Sequence, residues 1–344
     1  MLRRLISILL GLLLSIVVIA VIAFALLRAP DRSVAELSQW QLPDSEFIDI
    51  AGTQAHVVQS GLCQQLNSKN TIKNKGQVDI EPPVVVLLHG TSASLHTWQG
   101  WAEQLDKDYC VIRMDLPGFG LTGPFADKAK SYHSDHYADF VMQVLDKLHF
   151  TRASFVGNSL GGKVAWLSAV NYPERVDKLI LIDAAGYPAT PKHVPIGFKL
   201  AKYPKLDPLI KRVLPRSVVK KSLLSVYADD TKVTDELVNR YYELTLRAGN
   251  RGALGQRMRE FDSLGQQARI KDIAAPTLIL WGGQDDLIPP ENGELFHQAI
   301  KGSQLVMFPD LGHVPQEEDA VATAIVAKAF LDGESISIGA SGSK

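Results

Sequence analysis

Six consecutive residues, Gly157-Asn158-Ser159-Leu160-Gly161-Gly162, set a hydroxyl between closely spaced glycines, after an apolar run and ahead of a helix-forming stretch. A serine hydroxyl is a weak nucleophile at its own pKa; it needs a base to take its proton and donors to hold the oxyanion its attack creates. The spacing predicts a strand, Ala153-Ser154-Phe155-Val156, a very sharp turn, and a helix that starts with the stretch Lys163 to Val170. Glycines let strand and helix approach, and the turn lifts Ser159 above the sheet edge at a helix N-terminus, where the potential is positive. The chemistry this predicts is nucleophilic attack on a carbonyl, with the backbone N–H of Leu160 facing the oxyanion.

Other readings compete for the same residues. Gly157, four further residues and Gly162-Lys163 nearly spell a phosphate-binding loop, and Leu179-Ile180-Leu181-Ile182-Asp183 has the look of a nucleotide hydrolase's acidic strand. Val164, however, stands where such a loop needs Ser or Thr to hold magnesium. Gly118-Phe119-Gly120-Leu121-Thr122-Gly123 is a literal G-x-G-x-x-G, but Pro124 follows it and no clear helix opens to receive a pyrophosphate. His133 and His136 have a zinc-like spacing, yet Ser134-Asp135 reads as the start of a helix through Phe140, Val144 and Leu148, and no third ligand is evident. Nothing in the chain signals a cofactor or a bound metal.

A base, an acid and a second oxyanion donor must come from elements elsewhere in the chain. Residues 83–88 form a valine-rich run suited to a strand buried on both faces, and it ends in His89-Gly90-Thr91-Ser92. The N–H of Thr91 is the candidate to join that of Leu160, and His89 is read as ordering the loop. Residues 276–281 repeat the buried-strand pattern and lead into Gly282-Gly283-Gln284-Asp285-Asp286, while a last apolar stretch at 304–308 precedes Gly312-His313. Serine, acid and histidine thus come in the order Ser159, Asp285, His313, with Asp286 and Asp183 as competitors for the acid.

On these motifs the chain resembles the α/β-hydrolase fold family of serine hydrolases, over about residues 47–331. His89-Gly90, the loop Asp115-Leu116-Pro117-Gly118-Phe119-Gly120, the Ser159 elbow, the Gly282 to Pro289 stretch and Gly312-His313 carry the resemblance. It implies an α/β fold with a mostly parallel central sheet, helices on both faces and an inserted helical cap. Ser159 is then the nucleophile, His313 the base, and Asp285 the acid that holds the imidazole. The family pattern selects Asp285 over Asp286 by its distance from Gly282 and Pro289, and it accounts for the G-x-G-x-x-G as part of a family loop. A serine at the elbow points away from the epoxide hydrolases and haloalkane dehalogenases, which need a carboxylate there. The implied organisation is an N-terminal anchor and flank at 1–33, core at 34–185, cap at 186–262, core at 263–333 and a disordered tail at 334–344. In this fold the second strand runs antiparallel beside the fourth, which implies facing ends and a Cys63–Cys110 disulfide in an oxidising compartment, against two unpaired thiols.

Residues 5–27 carry no charge and lie between Arg3-Arg4 and Arg28. At about 1.5 Å per residue such a run crosses a bilayer core of about 30 Å. It exceeds the usual signal-peptide apolar stretch of about 7–15 residues, although Ala23-Phe24-Ala25 resembles a cleavage site. The expectation is a single-pass N-terminal anchor with the catalytic domain on the extracytoplasmic side, periplasmic or extracellular. The first half of the cap is basic: Lys192, Lys199, Lys202, Lys205, Lys211, Arg212, Arg216, Lys220 and Lys221 face a single acid, Asp207. With apolar residues interleaved, this suits an anionic membrane surface, and equally a solvated face. Residues 64–81 read as an exposed inserted loop and 335–344 as the tail.

A chain of 344 residues with 46% hydrophobic content builds one large core, and a net charge of -1 gives no case for nucleic-acid binding. The expected function is membrane-anchored hydrolysis of carboxylic esters, of small-molecule or lipid-like substrates. Thioester, lactone and carbon–carbon hydrolysis, perhydrolysis and acyl transfer use the same machinery. The glycine-poor loop His89-Gly90-Thr91-Ser92-Ala93 counts against the ring-cleavage-product hydrolases. A phosphate-loop nucleotide hydrolase and a non-catalytic scaffold are the readings from other classes.

Overall fold

The computed structural model describes residues 2–63, 82–260 and 265–335. Its centre is an eight-stranded sheet: β1 Ser45–Ile50, β2 Thr53–Gly61, β3 Val84–Leu88, β4 Cys110–Met114, β5 Ala153–Asn158, β6 Val176–Ile182, β7 Thr277–Gly282 and β8 Gln304–Phe308. The order is β1-β2-β4-β3-β5-β6-β7-β8. β1, β2 and β4 pair antiparallel, and every neighbour from β4 to β8 pairs parallel. The central strands are apolar along their whole length because both faces are covered. Side chains alternate between the faces: Val85 and Leu87 of β3 join one core with Trp98, Trp101, Ile180 and Leu278, whereas Val86 and Leu88 join the other with Phe155, Trp166, Leu181 and Trp281.

Helices follow from the same chain. α1 spans Leu2–Leu27, α2 Gln99–Leu105, α3 Ser134–Lys147 and α4 Leu160–Asn171. Between β6 and β7 lies a helical cap of α5 Ile196–Ala201, α6 Asp207–Ile210, α7 Arg216–Leu224, α8 Asp235–Thr245 and α9 Asn250–Arg259. α10 Glu291–Ala299, α11 Pro315–Glu318 and α12 Ala320–Asp332 complete the set. α3, α4 and α10 supply Phe140, Trp166 and Phe296 to one core, and α2 and α12 supply Trp101, Ala324 and Ala327 to the other. The inserted loop expected at 64–81, residues 336–344 of the tail, and the cap's end at 262 lie outside the described residues.

The topology places the site. β4 and β5 flank β3, so the chain reverses its direction of strand addition between them, and a crevice opens at the carboxyl ends of β3 and β5, where open α/β sheets bind ligands. A disulfide joins Cys63 to Cys110, where antiparallel β2 ends beside the start of β4.

α1 is 26 residues long, and its apolar side chains, Leu5, Ile8, Leu9, Leu13, Ile19 and Ile22 among them, face solvent. Among the described residues no helix is long and apolar enough to cross a membrane. The chain leaving α1 is fastened to the cap. Ala29 N–H donates to the Arg212 carbonyl at 2.8 Å, Arg32 N–H to the Leu246 carbonyl at 2.7 Å, and Arg32 pairs with Glu243 at 3.0 Å.

Candidate active site

Ser159 sits where β5 turns into α4, with φ 55° and ψ -114°. This conformation is costly for a residue with a side chain, about 1–3 kcal/mol, and persists only where its surroundings over-determine it. Here they do: Ser159 N–H donates to the Ile182 carbonyl at 3.0 Å, and the Ser159 carbonyl accepts from Ala185 and Lys163, each at 3.0 Å. A Cβ on Gly157 would overlap the Gly161 carbonyl, and one on Gly161 would overlap the Leu88 carbonyl, so both positions must stay bare for strand and helix to close the turn. The helix begins at Leu160, three residues before the stretch from which the sequence reading started it. As the first helical residue, Leu160 has an N–H with no acceptor in its own helix.

Asp285 and His313, the candidate acid and base, meet beyond the ends of β7 and β8. His313 Nδ1 lies 2.7 Å from Asp285 Oδ2, both residues buried. Asp285 Oδ1 accepts the N–H groups of Leu287 at 2.8 Å and Ile288 at 2.9 Å, which fixes the carboxylate as it leaves the strand. Asp286 turns outward and pairs with Lys192 at 3.1 Å, its side chain 42% exposed, so it does not reach the imidazole. Asp183, at the end of β6, is fully buried against Asp285, which helps to raise its pKa well above the ordinary carboxylate range; burial is the larger cause.

His89 is buried, with Nδ1 2.7 Å from the Gly90 carbonyl and Nε2 accepting the Leu116 N–H at 2.9 Å. Burial holds its pKa below the ordinary value, and the neutral ring ties the loop after β3 to the loop after β4. Thr91 of that loop, Ser159 and Leu160 line one cavity of about 360 Å³, walled by Tyr187, Phe198 and Leu287. A second compartment of about 120 Å³ shares Thr91 and Phe198 with it and runs under the cap between Leu214, Val219 and Leu223. Two larger cavities, of about 470 and 440 Å³, lie where residues 28–31 or the loop after β4 meet the cap, and neither is lined by Ser159. The 360 Å³ cavity is the candidate site: of these it alone is lined by Ser159, the candidate nucleophile, together with Thr91 and Leu160, and its size is in the range of small-molecule sites.

Three features escaped the sequence reading. Asn158, a spacer in the elbow motif, donates through Nδ2 to the His313 carbonyl at 2.9 Å and to the Ile182 carbonyl at 3.2 Å, joining the elbow to the His313 loop. Glu318, on α11, accepts the Gly312 N–H at 2.7 Å and the Ala228 N–H at 3.0 Å, tying the base loop to the cap. No spacing rule marks either residue. The third is a second serine–histidine–aspartate chain: Ser45 Oγ lies 2.7 Å from His56 Nε2, and His56 Nδ1 2.6 Å from Asp115 Oδ2. Asp115 also accepts the N–H groups of Leu95 and Leu121, and Ser45 Oγ accepts that of Leu42, so this chain braces the sheet edge and the loop after β4.

The rival motifs fall into place. Lys163 is buried within α4. The loop with the G-x-G-x-x-G spacing closes on the buried Asp115 carboxylate, with Phe119 bridging Gly123. Among the described residues neither His133 nor His136 belongs to a cluster of three metal-ligating side chains; His136 Nδ1 lies 3.0 Å from Ser131 Oγ.

Comparison with known proteins agrees with this fold. Residues 83–320 match the family model described as alpha/beta hydrolase fold. The chain is 30% identical to a 2-hydroxymuconate semialdehyde hydrolase of Pseudomonas sp. (strain CF600), over 72% of this chain and 86% of that protein. It is 28% identical to a pimeloyl-[acyl-carrier protein] methyl ester esterase of Neisseria meningitidis, over 72% of this chain and 77% of that one. A solved bacterial structure, described as a membrane phospholipase A, shares the fold at 24% identity and a TM-score of 0.66, over 97% of this chain and 99% of its own. With the sheet order, the elbow and the family match in agreement, the chain belongs to the alpha/beta hydrolase fold family and is a hydrolase of that fold.

Proposed function

We propose that the protein hydrolyses carboxylic esters through an acyl-enzyme on Ser159. The observation that carries this reading is the buried His313–Asp285 pair at 2.7 Å beside a cavity that holds Ser159, Thr91 and Leu160 together. In the proposed reaction Asp285 accepts a hydrogen bond from Nδ1–H of His313, which leaves Nε2 free to take the Ser159 proton as the hydroxyl attacks, and the carboxylate stabilises the imidazolium that forms. The N–H groups of Leu160 and Thr91 hold the oxyanion. His313 then protonates the leaving alcohol, and water repeats the sequence to release the acid. The apolar compartment beyond Phe198 supports an alkyl or aryl acyl group.

A second reading has its own support. The likeness to a 2-hydroxymuconate semialdehyde hydrolase favours carbon–carbon hydrolysis by the same residues. The glycine-poor loop after β3, which counted against that class in the sequence, is no obstacle to a 30% identity with one of its members. The test is a fluorophosphonate labelling experiment on the detergent-solubilised chain, followed by turnover of a p-nitrophenyl ester series against a 2-hydroxy-6-oxo-dienoate. Labelling lost in both Ser159→Ala and His313→Ala, with turnover of esters alone, supports the first reading. Turnover of the dienoate alone transfers the weight to the second, and an unlabelled but folded native chain refutes both.

We further propose that α1 anchors the enzyme in a membrane, with the catalytic domain on the extracytoplasmic side, and that the cap rests on the lipid surface. Support comes from the uncharged run at 5–27 of the sequence, which at about 1.5 Å per residue matches a bilayer core of about 30 Å, and from the backbone pairing of Ala29 with Arg212, which holds the segment after that run against the cap. On the cap, Ile196, Leu200, Tyr203 and Leu209 are 43%, 39%, 62% and 51% exposed among Lys199, Lys202 and Lys205, the mixture of an interfacial surface. Reversal of Lys199 and Lys205 to Glu is expected to abolish any rate advantage of anionic over zwitterionic vesicles; an unchanged ratio speaks against the seating.

A further inference from the structure

We propose that Asp183 is a neutral positioning residue of the active site: its side chain carries a proton and donates it in a hydrogen bond to Asp285, fixing the carboxylate that orients His313. This rests on the reading of Ser159, His313 and Asp285 given above.

Asp183 and Asp285 are both buried, and with His313 they offer atoms that all lie within 4.8 Å of one another. Asp285 receives three N–H groups, from Leu287, Ile288 and His313. Asp183 receives one, from Gly282 onto Oδ1 at 3.0 Å, and its Oδ2 is buried with no donor. Two carboxylates side by side in a site of low dielectric do not both ionise, and the proton goes to the one with fewer donors. A proton on Asp183 Oδ2 satisfies that orphan atom, removes the repulsion and gives Asp285 a fourth donor.

The charged groups facing Asp183 agree. From the loop after β7 there is Asp285; from beyond β8 there are His313, facing Asp285, and Glu318, whose charge also favours the neutral form. Burial and these neighbours hold Asp183 well above the carboxylate range, burial being the larger cause. The backbone also shows the placement to be specific, since Asp183 has φ 43° and its N–H is bonded to the Leu280 carbonyl at 3.1 Å.

Asparagine has the shape of a protonated aspartate and presents an N–H where the acid presents O–H, so Asp183→Asn is the rescue variant and Asp183→Ala the deletion. Asp183→Asn should keep fluorophosphonate labelling within about threefold of native, with the acidic limb of its pH profile unmoved, while Asp183→Ala should label at least about tenfold more slowly at unchanged probe affinity. An ionised Asp183 predicts the opposite: removing its charge in Asp183→Asn would shift the acidic limb to lower pH and slow labelling.

Two readouts do not depend on catalysis. The infrared spectrum of the native chain minus Asp183→Asn at pH 7 should contain the carbonyl stretch of a protonated carboxylic acid; only carboxylate bands there would overturn the proposal. A proton taken up on folding also makes native stability fall as pH rises above 3.8, and Asp183→Asn should flatten that decline. Loss of labelling on chelation, restored by a divalent cation, would overturn the proposal in favour of two ionised carboxylates around a metal. If the native chain shows the protonated acid but no labelling, the proton assignment stands and the reading of the reaction fails.

Discussion

Replacing Asn158 by alanine tests whether the elbow and the base loop act as one unit. The Asn158 amide donates to two buried carbonyls, but their situations differ. The Ile182 carbonyl keeps the Ser159 N–H at 3.0 Å, so it stays satisfied; the His313 carbonyl loses the donor that Asn158 supplies at 2.9 Å. An orphaned buried carbonyl costs about 1–3 kcal/mol. That energy has two outlets. If the loop stays in place the native state rises by that amount, and with a denaturant slope near 3 kcal/mol/M the urea midpoint falls by about 0.3–1 M. If the loop instead rotates to hydrate the carbonyl, His313 leaves its alignment, and the same energy appears as a loss of about 10–100-fold in the rate of serine labelling. The His313 N–H is separately fixed to the Val226 carbonyl at 2.8 Å, which limits the rotation without supplying the missing donor. Asn158→Asp, isosteric but without an N–H, should be impaired at least as much as Asn158→Ala. The assay is fluorophosphonate labelling rate alongside tryptophan fluorescence in urea. Both variants within twofold of native in rate, with unchanged midpoints, would refute the coupling and leave the base loop held by Val226 and Glu318 alone.

Two stability predictions follow from other parts of the fold. The Cys63–Cys110 bond closes a separation of 47 residues, and the chain-entropy relation then gives about 4 kcal/mol; the Cys63→Ala/Cys110→Ala double variant should lower the urea midpoint by more than about 1 M, and a change under about 0.3 M would refute it. Burial alone would raise the pKa of Asp115, but its electrostatic attraction to His56 and its hydrogen bond with that ring, with lesser electrostatic help from the other nearby imidazoles, outweigh burial and bring it from 3.8 down to about 2. A depressed carboxylate stabilises the fold above its unfolded value and loses that contribution as pH falls from about 4 to about 2, here about 2 kcal/mol. Chemical denaturation at pH 5 and at pH 2.5 reads this directly, and Asp115→Asn should show a correspondingly smaller difference between the two; an equal difference would refute the assignment.

How far the site was legible in the sequence varies by residue. Ser159 stood out because it lies among glycines that a sharp backbone turn requires, and His313 because it is a histidine beside a glycine on the loop after the last apolar run; such local demands leave a local trace. Asp285 needed the resemblance as well, because Asp286 is chemically its equal and only direction distinguishes them: one side chain turns into the crevice and the other out to Lys192. Asn158, Glu318 and the role of Asp183 left no trace, since each acts on a group distant in sequence. His56 shows the converse. It completes a Ser45–His56–Asp115 chain with the residue types of a nucleophilic device, yet the two ends of that chain accept backbone N–H groups, Ser45 from Leu42 and Asp115 from Leu95 and Leu121.

The sequence by itself determined the elements that satisfy themselves locally: the doubly buried strands, announced by unbroken apolar runs; the elbow, announced by its glycines; and the apolar length of α1. These follow from chain geometry and water avoidance, which act over a few residues at a time. Only the tertiary structure decided which carboxylate meets the histidine, which buried acid is left short of donors, how Asn158 spans two loops, and that the segment leaving α1 is bonded to the cap. Each of those depends on the sheet order bringing the ends of β3, β5, β6, β7 and β8 to one edge, and on a dielectric low enough there that an unmatched donor or charge carries a cost of kilocalories.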